Sequence, residues 1–144
     1  MTEIYNSRKI AAIILAGGKG TRMQATLPKV LHHIIDKPMI YYTLESLGEL
    51  GISETFVVVG HQSEEVKEKI SSKFHCQFAY QSEPLGTAHA VECALGEIDD
   101  HVETVLVMNG DDSAFYKIPT LKEFIESHYS SKCPVSMVTL KIIR

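Results

Sequence analysis

Apolar runs alternate with stretches of helical periodicity along most of this chain. Apolar runs predict strands at residues 10–16, 54–60 and 104–108, of which the first two are expected to be buried, and a shorter strand is predicted at residues 76–80. A last strand is predicted at residues 134–143. Strands separated by helices favour a Rossmann-like α/β fold, in which a doubly wound, mostly parallel sheet carries helices on both faces.

Proline, glycine and threonine mark the ends of the predicted helices. Pro38 suits the first turn of a helix that Gly51 ends, and Pro119 begins the last helix. Thr87 is predicted to cap a helix at residues 88–95. The elements follow one another without a repeat or an obvious linker, so one domain is predicted.

Composition narrows the classes of protein to which the chain can belong. Its 144 residues are 44% hydrophobic, which is enough for one buried core. The 14 Lys and Arg against 18 Asp and Glu give a net charge of −4, which argues against a nucleic-acid-binding surface. No apolar run is long enough to span a bilayer, and the polar N-terminus lacks the core of a signal peptide. We therefore predict a cytoplasmic protein without nucleic-acid or membrane partners. Its three widely spaced cysteines are interpreted as buried, reduced thiols.

A glycine-rich loop with cationic side chains follows the first predicted strand, in the sequence GGKGTR at residues 17–22. Glycines let main-chain N–H groups crowd around anionic oxygens, while Lys19, Arg22 and the nearby Lys29 add positive charge. The P-loop and dinucleotide-binding patterns both fail here, because their glycine spacing is absent. The loop is interpreted as a polyphosphate site, and a simple chain-reversing turn is the alternative.

Three segments follow predicted strands and are expected at one edge of the sheet. They are the glycine loop, residues 81–87 and residues 109–111. In open parallel sheets, ligands bind outside the carboxyl ends of the strands. Segments that are far apart in sequence are therefore predicted to line one ligand site.

Asp111 is the candidate metal ligand at this edge. It follows an apolar strand and an Asn-Gly turn, and Mg²⁺ is usually held by one or two carboxylates together with phosphate oxygens and water. Asp112 is its neighbour, and adjacent residues on extended chain point in different directions. Asp111 is chosen for the site, although the same sequence is also a good turn and cap signal.

The segment at residues 81–87 offers groups suited to a nucleobase. Gly86 permits close approach of the backbone, and Thr87 begins a helix whose N-terminus favours anions. The amide of Gln81 can pair with both a donor and an acceptor on a base edge. The alternative is an ordinary surface glutamine.

Four motifs in order resemble nucleoside-triphosphate:sugar-1-phosphate nucleotidyltransferases. They are LAGGKGTRM at residues 15–23, LPKVL at 27–31, QSEPLGTAHAV at 81–91 and MNGD at 108–111. Within that superfamily, the combination is most similar to the uridylyltransferase domain of N-acetylglucosamine-1-phosphate uridylyltransferases. Residues 1–144 would then be the nucleotide-binding, N-terminal portion of a longer nucleotidyltransferase domain.

The resemblance implies a role for each matching position. Arg22 and Lys29 would hold the phosphates as catalytic residues, and Asp111 would bind Mg²⁺. The implied nucleotide-binding residues are Leu15, Ala16, Gly17, Gly18, Gln81, Gly86, Thr87, Asn109 and Gly110.

The implied reaction is transfer of a uridylyl group from UTP to a sugar-1-phosphate, most simply N-acetylglucosamine-1-phosphate, with release of pyrophosphate. Thymidylyl or guanylyl transfer to another hexose-1-phosphate is an alternative, as is a nucleotide-sensing module without catalysis. Residues 112–115 depart from the small apolar or Pro-containing sequence that is expected after the aspartate, and this leaves the sugar open.

Overall fold

The computed structural model describes residues 9–18, 27–60 and 63–139. Within those residues the strands, in chain order, are β1 (Ile10–Leu15), β2 (His33–Ile34), β3 (Lys37–Pro38), β4 (Glu54–Val59), β5 (Gln77–Tyr80) and β6 (Thr104–Asn109). The α-helices are α1 (Met39–Leu50), α2 (Ser63–Ser71), α3 (Thr87–Leu95) and α4 (Ile118–Ser131). Short 3₁₀ turns lie at Lys29–Leu31 and Ser113–Phe115.

The main sheet is parallel, with the strand order β5-β4-β1-β6. The first strand of the chain is therefore central, and Leu15 at its end lies in register with Val58 of β4 and Asn109 of β6. Parallel neighbours require a crossover connection, and helices supply it here. The predicted doubly wound α/β fold is confirmed.

Apolar side chains on both faces of the sheet are buried under helices. One face of the central strands packs with α1, α2 and α4, and the opposite face packs with α3. Ile14 and Val57 belong to the first cluster, whereas Ile13, Phe56 and Val58 belong to the second. Since successive residues of a strand point to opposite faces, two covered faces explain why these strands are apolar without alternation.

Two sequence-based expectations about element ends need correction. Helix α3 begins at Thr87 itself, and its N-cap is Gly86, so Thr87 is not the cap. Residues 134–139 form no strand, and Val135 and Met137 are exposed. A strand needs a hydrogen-bonded neighbour, and among the described residues no strand pairs with this segment. It instead contacts α4, where His128 Nδ1 lies 2.9 Å from Ser136 Oγ.

The three cysteines are free thiols in the described part of the chain. Cys76 and Cys93 are half-buried, whereas Cys133 is exposed, so the expected burial is wrong for Cys133. Burial raises the pKa of the Cys76 thiol to about 11, so it stays protonated at neutral pH. Separately, none of the helices in the described ranges is both long and apolar enough to cross a membrane.

The hairpin that joins β2 to β3 contains a strained, exposed residue. Ile35 has a φ of 62°, and its side chain is 94% exposed. The left-handed region costs an L-residue roughly 1–2 kcal/mol, and a branched Cβ makes it an outlier. Tyr42 holds the turn by donating from its hydroxyl to the Ile34 carbonyl oxygen at 2.6 Å.

We expect Ile35→Gly to raise the free energy of unfolding by about 1 kcal/mol, because glycine adopts positive φ without steric cost. Urea-induced unfolding measures the change. Ile35→Val keeps the branched Cβ and is the matched control, expected to show no gain. A less stable glycine variant would contradict the assignment of strain to this turn.

Candidate functional site

The carboxyl ends of the four strands of the main sheet lie side by side, and the chain stays hydrogen-bonded just beyond them. Gly110 N donates to Leu15 O at 2.9 Å, and Gln81 N donates to Val59 O at 2.9 Å. Ala16 N donates to Val58 O at 2.8 Å. The segments that follow β1, β5 and β6 are thereby brought to one edge, as the sequence predicts.

Glycines are required where these segments touch. A Cβ on Gly60 would lie 2.9 Å from Gly17 O, a distance that side chains do not tolerate. A Cβ on Gly17 would lie 3.3 Å from Gln81 Oε1, and one on Gly110 would lie 3.1 Å from Leu15 O. At Gly18 a Cβ would meet nothing within 4 Å among the residues that the structure describes. Packing therefore explains Gly60 and Gly110 and contributes at Gly17, whereas the described residues give no packing reason for a glycine at position 18.

Lys29 and Asp111 form an ion pair at this edge, although they are 82 residues apart in sequence. Lys29 begins a 3₁₀ turn whose other residues, Val30 and Leu31, are buried and anchor it. Asp111 follows β6 directly after Gly110. Both side chains are partly exposed, at 44% and 29%, so a cation and a carboxylate share a position that solvent reaches.

The two adjacent aspartates face different partners. Asp111 contacts Lys29, whereas the exposed Asp112 accepts a hydrogen bond from Asn109 Nδ2 at 3.2 Å. The two carboxylates therefore have different partners, and the choice of Asp111 as the metal ligand stays a prediction.

A buried hydrogen-bond chain anchors the loop that carries Asp111. The Ser113 hydroxyl donates to Asn109 O, and its oxygen lies 2.9 Å from Thr43 Oγ1 on α1. Ser113 and Thr43 are both almost fully buried. Breaking such a pair leaves a buried polar group without a partner, so the chain fixes the loop relative to α1.

The segment after β5 folds around the side chain of Gln81. Its side chain is buried, and its Nε2 lies 3.0 Å from Gly86 O and 3.2 Å from His89 Nδ1. Gly86 has a φ of 111°, which favours glycine. The N-cap Gly86 makes no side-chain hydrogen bond to α3, so N–H groups of the first turn of the helix are left without a side-chain cap. Thr87, the first residue of α3, is exposed.

Sequence reasoning did not assign every residue that shapes this edge. Arg22 lies outside the described residues, so its predicted place is not tested by the geometry. Gly60, His89 and the Thr43–Ser113 pair were not singled out. A glycine that ends an apolar strand was the available signal for Gly60, whereas side-chain pairing across 70 residues leaves no local signal for Ser113.

The donor set at Asp111 fits Mg²⁺ better than a metal that needs a protein cage. No group of three or more His, Cys, Asp or Glu residues suited to a metal occurs within residues 9–18, 27–60 and 63–139. Zinc sites use three or four such ligands, whereas Mg²⁺ takes one or two carboxylates and completes its shell with phosphate and water. The partly exposed carboxylate of Asp111 meets the protein's share of that requirement.

Comparison with known proteins identifies the family. The family model described as nucleotidyl transferase matches residues 11–144. This chain belongs to the nucleotidyl transferase family. Among curated relatives, the bifunctional protein GlmU of Trichlorobacter lovleyi is 37% identical over 134 residues, which are 93% of this chain and 29% of the relative. The chain thus spans less than a third of the length of that relative.

Solved structures place the nucleotidyl transferase chain in the same fold. HddC from Yersinia pseudotuberculosis, complexed with GMP-PN, has a TM-score of 0.68 at 29% identity, covering 82% of this chain and 53% of that one. The 4-diphosphocytidyl-2C-methyl-D-erythritol synthase from Anaerococcus prevotii has the same TM-score at 22% identity, covering 85% and 51%. The second likeness concerns the fold alone.

We expect Gly60→Ala to lower the free energy of unfolding by about 1–3 kcal/mol, because its methyl group would press on the Gly17 carbonyl and force the backbones apart. Denaturant titration measures the loss. Gly48→Ala is the control, since a Cβ there meets open space within α1 and alanine favours helix by about 1 kcal/mol. Equal stability of the Gly60 variant and the parent would contradict the close crossing.

Proposed function

We propose that this chain forms the nucleotide-binding, N-terminal portion of a sugar-phosphate nucleotidyltransferase that uses UTP. The acceptor in this proposal is N-acetylglucosamine-1-phosphate. One observation carries the proposal: Lys29 and Asp111 contact each other beside the glycine-lined ends of three parallel strands. A triphosphate with its metal needs a cation and a carboxylate at that place. Similarity to a bifunctional GlmU protein supports it.

In this proposal Lys29 holds phosphate oxygens together with Arg22. A lysine ammonium provides three donors on a flexible stem, so it can turn from a carboxylate to a phosphate. Its present partner, Asp111, is partly exposed and is 82 residues away in sequence, so their contact depends on the fold rather than on local structure.

Asp111 is proposed as the Mg²⁺ ligand. When bound, Mg²⁺ supplies Lewis-acid charge that neutralises phosphate oxygens. Lys29 contacts Oδ2 of Asp111, and this contact balances the carboxylate charge. We infer that Lys29 would release Asp111 on binding of nucleotide and metal. Mg²⁺ would replace the Lys29 ammonium beside Asp111, and a phosphate oxygen would replace the Asp111 carboxylate beside Lys29.

Backbone groups at the strand ends would follow the nucleotide in this proposal. Leu15, Ala16, Gly17 and Gly18 line one side. Gly18 is exposed, and among the described residues nothing crowds its Cβ position, so its bare backbone would allow close approach of a ligand. Asn109 and Gly110 border the same edge from β6.

Gln81, Gly86 and Thr87 are proposed to meet the base. Gln81 belongs to the segment that is hydrogen-bonded to the end of β4, and its side-chain oxygen Oε1 lies beside Gly17. The exposed Thr87 starts α3, whose first N–H groups favour an electronegative partner.

The proposed chemistry is an in-line displacement at phosphorus. An oxygen of the sugar-1-phosphate forms a bond to the α-phosphorus of UTP, and the bond from that phosphorus to the bridging oxygen breaks. The products are a UDP-sugar and pyrophosphate, which keeps the electron pair of the broken bond. The chain supplies alignment and charge neutralisation, and no residue needs to form a covalent intermediate.

Guanylyl transfer is the second candidate. HddC, which has the same fold at 29% identity, was crystallised with GMP-PN, a guanine nucleotide. A purine would require a larger base pocket beside Gly86 than UTP does. Competition among the four nucleoside triphosphates distinguishes the two candidates, and a purine preference would contradict the UTP proposal.

Calorimetry with UTP and Mg²⁺ tests the nucleotide assignment. We expect Lys29→Ala to weaken UTP binding by about tenfold or more, because a charge-assisted hydrogen bond of about 1.5–3 kcal/mol is lost. Lys9→Ala is the matched control, since Lys9 pairs with the exposed Glu103 near the opposite end of β1. The proposal fails if the parent binds no nucleoside triphosphate.

The metal assignment has its own test. We expect Asp111→Asn to abolish the increase in UTP affinity that Mg²⁺ produces, because a neutral amide attracts the cation much less than a carboxylate does. Asp112→Asn is the neighbouring control and should keep most of that increase, since Asp112 contacts Asn109 instead. Calorimetry with and without Mg²⁺ measures both. Equal losses would show that the choice between the two aspartates is wrong.

A further inference from the structure

The amide orientation of Gln81 is fixed by its surroundings. Gln81 Nε2 lies 3.0 Å from the carbonyl oxygen of Gly86. A carbonyl oxygen only accepts hydrogen bonds, so the amide nitrogen must face it and the amide oxygen must face the other way. The buried position of Gln81 leaves this contact little competition from water.

His89 takes the second hydrogen of the same amide. Its Nδ1 lies 3.2 Å from Gln81 Nε2 and must be an unprotonated acceptor, because the amide nitrogen can only donate. The ring proton is then on Nε2, which lies 3.7 Å from the sulfur of Cys93, a weak acceptor. His89 and Cys93 are one helical turn apart on α3, so the helix itself sets the geometry of this chain of contacts.

With both amide hydrogens engaged, Gln81 has an acceptor left to offer. Its Oε1 lies 3.3 Å from the position that a Cβ of Gly17 would take, so it faces the glycine-lined edge. A rotation of the amide by 180° would place oxygen against oxygen at Gly86, and it would also require the other tautomer of His89, with the ring proton on Nδ1.

We propose that His89 is a positioning residue that locks Gln81 as a hydrogen-bond acceptor and thereby selects a base with an N–H donor. This rests on the proposed function, in which Gln81 meets the base. Uracil carries a hydrogen on N3, whereas N3 of cytosine is an unprotonated acceptor. A fixed Oε1 therefore favours UTP over CTP, although His89 itself contacts neither.

The lock can be tested in the free protein by NMR of the Gln81 side-chain amide. We expect His89→Ala to speed solvent exchange of these amide protons by about tenfold, as one hydrogen bond is lost. His89→Asn should restore slow exchange, because asparagine Oδ1 is bonded to Cγ as Nδ1 is in histidine. His89→Gln places its acceptor one bond further out and should not restore it.

Selectivity is the second measurement. We expect the parent to bind UTP more tightly than CTP, and His89→Ala to reduce the ratio of the two dissociation constants by about tenfold. His89→Asn should recover the parent ratio. Glu92→Ala, an exposed change on the same helix, should leave it unaltered. A general weakening of the fold would lower both affinities together and would not change the ratio.

The outcomes separate this inference from the function on which it rests. If the parent binds no nucleoside triphosphate, the proposed function and the base-reading role both fall. If the parent prefers UTP and His89→Ala keeps the same ratio, the nucleotide assignment stands and the role of His89 is refuted. Slow amide exchange that persists in His89→Ala would refute the lock directly.

Discussion

The close crossing of Gly17 and Gly60 is the constraint on which the candidate site depends. Because a Cβ on Gly60 would come within 2.9 Å of the Gly17 carbonyl oxygen, the chain after β1 lies directly against the end of β4. The central place of β1 then brings the end of β6 to the other side, where Gly110 donates to Leu15. Three loops that are distant in sequence thus share one edge because their backbones nearly touch.

Polar side chains complete what the backbone begins, and they do so in separate groups. The Thr43–Ser113 pair connects the loop after β6 to α1, and this holds the backbone at Asp111 in place. The Gln81–His89 contact ties the loop after β5 to α3. The buried contacts hold the loops in place. The partly exposed Lys29 and Asp111 remain able to exchange partners, as the proposed binding and release of a charged ligand would require.

The sequence was sufficient for the sheet and for the edge at which the site lies. Unbroken apolar runs identified β1 and β4 because both faces of these strands are buried. The run at β6 is apolar as well, although this edge strand leaves Val107 exposed. The parallel arrangement then followed from the intervening helices. The prediction of a last strand at residues 134–143 is wrong for residues 134–139, since apolar content alone does not provide a hydrogen-bonded neighbour. The predicted cap of α3, Thr87, lies one residue after the observed cap, because Gly86 at a φ of 111° ends the preceding loop and the helix begins at Thr87.

The part of the site that local patterns missed is the part that depends on side-chain chemistry across the fold. Gln81 could be singled out as an amide, but the direction of that amide follows from the Gly86 carbonyl, which only accepts, and His89 Nδ1 then faces the amide nitrogen as well. A motif records residue types and their spacing, and it contains no information on the direction of a hydrogen bond. Under the proposed function, the backbone at the glycine edge would accept the phosphates of any nucleotide, because phosphates are common to all of them. Discrimination among bases would then have to come from oriented groups such as the Gln81 amide, and orientation is a property of the folded chain.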